Sequence, residues 1–196
     1  EGIQNNGTKN YGEINSNGNF VITGNLENYS VMNIGGLLST NNLLNTGNLK
    51  AVDKIYTSGV SFNNSGEILT TLLDINSTGI LNTNKITVID NARLNGSNVT
   101  NNGYISGTNI EVITAGLTNT GTLAADELIK ANNTTINNTG YIGSNSKVSL
   151  SGSNLTNSGT IESSEIELYN MSGYNNTSLI RGGNVSLTTT GNLTLT

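Results

Sequence analysis

The chain has no cysteine, no proline, no histidine and no tryptophan. Without cysteine there is neither a disulfide framework nor a thiolate metal site. Without histidine, zinc triads and Ser-His-Asp or Cys-His catalysis are gone as well, and most enzyme classes go with them. Charge is scarce: eight Lys and Arg against 13 Asp and Glu leave a net charge of -5, which argues against nucleic acid held through its phosphates. No apolar run approaches the roughly 20 residues that a membrane-spanning helix needs, and no signal peptide opens the chain. Apolar residues make only 34%, yet Ile, Leu and Val are spread evenly, which suits a long thin core rather than one globular core. What is plentiful is Asn (37), Thr (27), Gly (24) and Ser (20), together more than half of the 196 residues.

These residues are arranged in a repeat. Leu117-Thr-Asn119-Thr-Gly121-Thr-Leu123, Ile136-Asn-Asn138-Thr-Gly140-Tyr-Ile142 and Leu155-Thr-Asn157-Ser-Gly159-Thr-Ile161 are one heptapeptide: apolar, any, Asn, any, Gly, any, apolar. The Gly position recurs at Gly12, Ser30, Gly47, Gly66, Asn84, Gly103, Gly121, Gly140, Gly159 and Ser178, every 17 to 19 residues. Two residues earlier stands Asn every time: Asn10, Asn28, Asn45, Asn64, Asn82, Asn101, Asn119, Asn138, Asn157 and Asn176. Two residues later stand Ile14, Met32, Leu49, Ile68, Ile86, Ile105, Leu123, Ile142, Ile161 and Ile180. A second apolar pair alternates further on, as in Leu73 and Ile75, Ile110 and Val112, Val148 and Leu150. Period-two alternation in such short units predicts strands joined by tight turns.

A unit of 17 to 19 residues, too short for a helix-containing repeat, predicts one rung of a parallel β-helix. The fold expected is an all-β solenoid of about ten rungs, one repeat segment over residues 1–196, on the order of 50 Å long at about 4.8 Å per rung. The recurring Asn stacks over its copies as a structural amide ladder, and the Gly position is expected to need a positive φ. The chain opens on Glu1 and stops in mid-pattern at Thr196, which reads as an internal piece of a longer protein. Such a cut leaves rung ends, with Leu193 and Leu195 at the last one, open to end-to-end association.

Charges placed on this register predict outward columns of alternating sign: Asp74, Arg93, Glu111 in one, and Glu127, Lys147, Glu165 in the next. The competing reading of the acidic residues is a carboxylate pair for glycoside hydrolysis or polyuronide cleavage at Glu162, Glu165 and Glu167. It needs a loop-built groove, and no repeat carries an insertion. No catalytic residue, cofactor or metal is therefore expected. Tyr11 with Tyr29, and Tyr104 with Tyr141, share repeat positions and read as cross-rung packing or as rings that stack on sugar. Sequons such as Asn76, Asn95, Asn154 and Asn192 are common by chance in this composition.

The apolar-x-Asn-x-Gly-x-apolar unit followed by an apolar-x-apolar strand resembles the haemagglutinin repeat of filamentous haemagglutinin-like adhesins and contact-dependent growth inhibition effectors. These are large exoproteins exported by two-partner secretion in Gram-negative bacteria. The resemblance covers essentially all ten units. It implies a right-handed parallel β-helix in the shaft of a secreted, cell-surface filament. It also implies an outer-membrane β-barrel secretion partner, and a host or neighbouring-cell receptor met through other regions. The Asn load exceeds what that pattern needs, and the proline-containing amino-terminal secretion motifs are absent. The other readings are a β-helical carbohydrate-active enzyme and a glycan- or protein-binding module on the side of the rod.

Overall fold

The computed structural model describes residues 7–195, the side chains of residues 133, 134 and 192–195 excepted. The described residues contain no helix. Their strands all pair in parallel, each with its counterpart one repeat away, so the chain winds through ten turns of a β-solenoid. Each turn has three faces. The first follows the Asn-x-Gly corner and stacks Glu13 through Val31, Asn48, Glu67, Lys85, Tyr104, Thr122, Tyr141 and Thr160 to Leu179. The second carries the alternating apolar pair, and the third returns to the next ladder asparagine.

Early turns break into separate short strands such as Glu13–Ser16 and Asn25–Asn28. Later ones run as single strands, Thr122–Asn138, Tyr141–Asn157 and Thr160–Asn176, interrupted only at the corner after the asparagine. The cause lies in the other two corners. Asn17, Gly18 and Asn19, or the paired Gly35 and Gly36, turn the early ones, whereas later turns pass through them with a register shift and keep pairing on both sides.

The core is the inside of the tube. One turn contributes Leu123, Ala125, Ile129, Ala131 and Ile136, all buried, and its neighbours repeat the set. Ile105, Leu123, Ile142 and Ile161 lie in register, each at most 1% exposed, as one aliphatic column. Full burial of each large side chain contributes roughly 1.5–3 kcal/mol against the entropy of ordering it. Because neighbouring turns hold one another, stability is a sum of nearest-neighbour terms along the axis.

The glycine of the corner does not adopt a positive φ. Among the described residues no glycine does, and Asn170 at φ 59° is the one non-glycine that does. Glycine is favoured by close approach instead. A Cβ on Gly66 would run into the Gly47 carbonyl oxygen, one on Gly121 into that of Gly103, and one on Gly140 into that of Gly121. Those carbonyls accept the next turn's N–H, Thr122 to Gly103 at 2.7 Å and Tyr141 to Gly121 at 2.8 Å. Where Asn84 places a Cβ there, the equivalent bond from Lys85 to Gly66 stretches to 3.4 Å. Backbone proximity is thus the constraint, and Asn84 meets it at the expense of hydrogen-bond geometry rather than of φ.

Candidate functional site

The ten asparagines named above form one chain of side-chain hydrogen bonds. Each Nδ2 donates to the Oδ1 one turn on, from Asn10 to Asn176, at 2.7–2.8 Å throughout. Nine of the ten are buried and Asn176 is partly so. Eight of these amides also donate to a carbonyl two residues on and so close their own corner. The Asn119 Nδ2 donates to the Gly121 carbonyl at 3.2 Å and to the Tyr141 carbonyl of the next turn at 3.0 Å. The Asn101 backbone carbonyl accepts from both Thr120 at 2.9 Å and Gly121 at 3.0 Å. Only a short side chain with a donor and an acceptor on one planar group satisfies all of this. Aspartate cannot donate, and glutamine is a methylene too long. All the ladder amides point the same way along the axis.

On the outside, charges climb the second face. Lys54 meets Asp74 at 2.7 Å, Arg93 reaches Asp74 at 3.5 Å and Glu111 at 3.6 Å, and Lys130 reaches Glu111 at 3.8 Å. The adjacent column differs from the sequence expectation: Leu128, not Glu127, aligns with Lys147 and then Glu165. The corner before it holds one residue more than the turn below, since Gly107 to Asn109 faces Ala125 to Leu128, and this extra residue displaces Glu127. Such exposed pairs stabilise only weakly and mainly avoid like-charge stacks.

The three glutamates that could have made a carboxylate pair are divided between two cations. Glu162 pairs with Arg181 at 2.6 Å, while Glu165 at 3.2 Å and Glu167 at 2.7 Å share Lys147. The hydrogen bond from Lys147 holds the Glu167 carboxyl below the ordinary carboxylate range, and the Glu167 bond in turn raises the ammonium. A general acid would require the opposite shift. No group of three metal-ligating side chains occurs among the described residues.

Tyr11 and Tyr29 stack face to face, ring centroids 4.9 Å apart and planes 4° from parallel. Tyr29 donates to Glu27 at 2.6 Å, which also takes Lys9 at 3.0 Å. The Tyr29 bond first, then the Lys9 bond, holds the Glu27 carboxyl down. Tyr104 and Tyr141 are brought to one face two turns apart, with Thr122 between them. Of the sequon asparagines, Asn76 and Asn95 bond each other at 2.9 Å across adjacent turns and Asn154 is exposed. The side chains of Asn192, Leu193 and Leu195 lie outside the described residues. Asp126 and Asn145, which flank Tyr104 and Tyr141 at the next corner, were not singled out from sequence. The run of small residues at Ser106, Ala124 and Gly143 was the available signal, and it becomes a column only once the register is known. No protein-family description, no curated protein and no solved structure matches this chain.

Proposed function

We propose that this chain is a non-catalytic shaft segment of a secreted, cell-surface bacterial filament, an adhesin or contact-dependent inhibition effector. Its work is to hold a binding or toxic element away from the cell. The observation that carries the reading is the uninterrupted stack: ten turns share one core and one amide ladder, and among the described residues no turn carries an inserted loop. A rod of this kind gains length by adding turns that contact only their neighbours. The resemblance to haemagglutinin repeats supports the same role and adds export through an outer-membrane β-barrel partner.

The test is reach. The chain is placed between an outer-membrane anchor and a fluorescent head on a bacterial surface, and energy transfer from the head to a membrane dye is measured. Deleting residues 102–138 removes two whole turns and rejoins Asn101 to Thr139, keeping the corner intact. The head then sits about 10 Å nearer the membrane, two steps of the inter-strand spacing. An unchanged distance, or loss of folding on removal of whole turns, contradicts the spacer role.

A further inference from the structure

Two recesses of about 440 and 450 Å³ adjoin where the first face turns into the second, sharing Tyr141, Ser144 and Asn145. Their floor is low because the outward column reads Ser106, Ala124, Gly143 in three successive turns, with Thr87 before it and Glu162 after it. The Tyr141 ring lies down over Gly143, where a Cβ would strike it, and Tyr104 stands two turns earlier, 40% exposed. The Asp126 carboxylate and the Asn145 amide line the same recess and make no hydrogen bond to the described protein; nor do the two tyrosine hydroxyls. In the second recess the Ser163 hydroxyl is buried, its residue 6% exposed, and also without a partner. The Glu162–Arg181 ion pair lines the same recess.

We infer that this groove binds a neutral, extended β-linked polysaccharide running along the rod axis, with sugar faces resting on Tyr104 and Tyr141. The ring faces suit the C–H face of a pyranose, and the carboxylate, amide and tyrosine hydroxyls suit its hydroxyl groups. Each turn rises about 4.8 Å, close to the advance of one sugar in an extended β-linked chain. Alternate sugars in such a chain are flipped, so the same face returns every second sugar, as the two rings return every second turn. An anionic polymer would meet Asp126 and Glu162, and the nearby Arg181 is already held by Glu162. A peptide strand finds no edge here, because this face is hydrogen-bonded to turns on both sides. The Tyr141 hydroxyl, pushed up first by burial and then by Glu162, stays protonated and able to donate.

Calorimetric titration of the whole chain with cellohexaose and chitohexaose tests the inference, with maltohexaose and heparin as controls. Saturable binding of at least one β-linked hexasaccharide is expected. Tyr104→Ala and Tyr141→Ala should each weaken it by about two- to tenfold, the range of one aromatic contact, with little change in melting temperature. No saturable binding of either β-linked ligand overturns the inference. So does equal binding of maltohexaose, binding untouched by the double tyrosine variant, or binding of heparin alone. None of these results bears on the reach of the rod, so the groove and the spacer role fail separately.

Discussion

Two corners of the same turn obey different rules. At the corner after the third face the step from the ladder asparagine to the first paired residue never varies, Asn10 to Glu13 and Asn176 to Leu179 alike. At the corner between the first and second faces it does vary. The chain goes from Glu67 to Leu72 in one turn and from Lys85 to Asn91 in the next, and the inward residue there can be Ile34, Thr70, Gly107 or Ser144. Side-chain amides buried inside the tube tolerate neither an insertion nor a different residue, because each must meet its neighbour at hydrogen-bond distance. The variable corner is served by local means, such as the Ser144 hydroxyl, which donates to the Glu127 carbonyl at 2.8 Å and accepts from Ser146 and Lys147. Nothing there forces the next turn to copy it.

The sharpest way to break this contrast is to change one rung of the ladder. Asn138→Asp leaves a buried group that cannot donate to Asn157 and should cost roughly 3–5 kcal/mol as an ionised side chain. Asn138→Ala strands the Asn157 Oδ1, which otherwise accepts at 2.7 Å, at about 1–3 kcal/mol. Asn137→Ala, one residue earlier on the exposed side, should stay within about 0.5 kcal/mol. Chemical denaturation of the three variants ranks them, and equal losses for Asn138→Ala and Asn137→Ala would remove the distinction.

The glycines sharpen the comparison. Gly140→Ala forces a methyl into the Gly121 carbonyl and should cost roughly 1–3 kcal/mol. Gly12→Ala, at the same corner of the first described turn, has no described turn below it and meets nothing within 4 Å. It should be neutral, or stabilise by about 0.4–1 kcal/mol through the unfolded chain. Opposite signs in thermal melting are the expected result.

The smallest effect is electrostatic and lies outside both corners. Glu27 and Glu167 have carboxyls held below the ordinary value. Their contribution is therefore complete above the ordinary carboxylate range and is lost as pH falls through the lowered values. Lys147 is raised, so its share is present below the ordinary lysine value and fades as pH rises through the raised one. A stability profile against pH should droop slightly at both ends, and Lys147→Met should flatten the part due to Glu167.

Most of the architecture was legible because one corner repeats. Asn at every third-face end and an apolar residue four places on mark the turns, the columns and the ladder in the sequence itself. Two readings failed for want of register. Repeat spacing puts Glu127 in a charged column because the variable corner's extra residue is invisible in it. The recurring glycine suggests a special backbone torsion, whereas the constraint is a carbonyl from the turn below, a neighbour that sequence spacing brings close without saying how close. The groove beside Tyr104 and Tyr141 was half legible. The shared position of the rings is in the sequence, whereas the low floor and the unpaired Asp126 and Asn145 emerge only when consecutive turns are superposed.

A continuous internal amide ladder, rather than composition alone, keeps asparagine at this corner. Hydrogen exchange of the asparagine side-chain amides, followed by NMR, tests it most directly. Asn101, Asn119 and Asn138 should exchange slowly, in step with the backbone amides of the core, while Asn33 and Asn42, which bond their neighbours on the exposed surface, exchange rapidly. Ladder amides that exchange as fast as Asn33 and Asn42 would contradict the account.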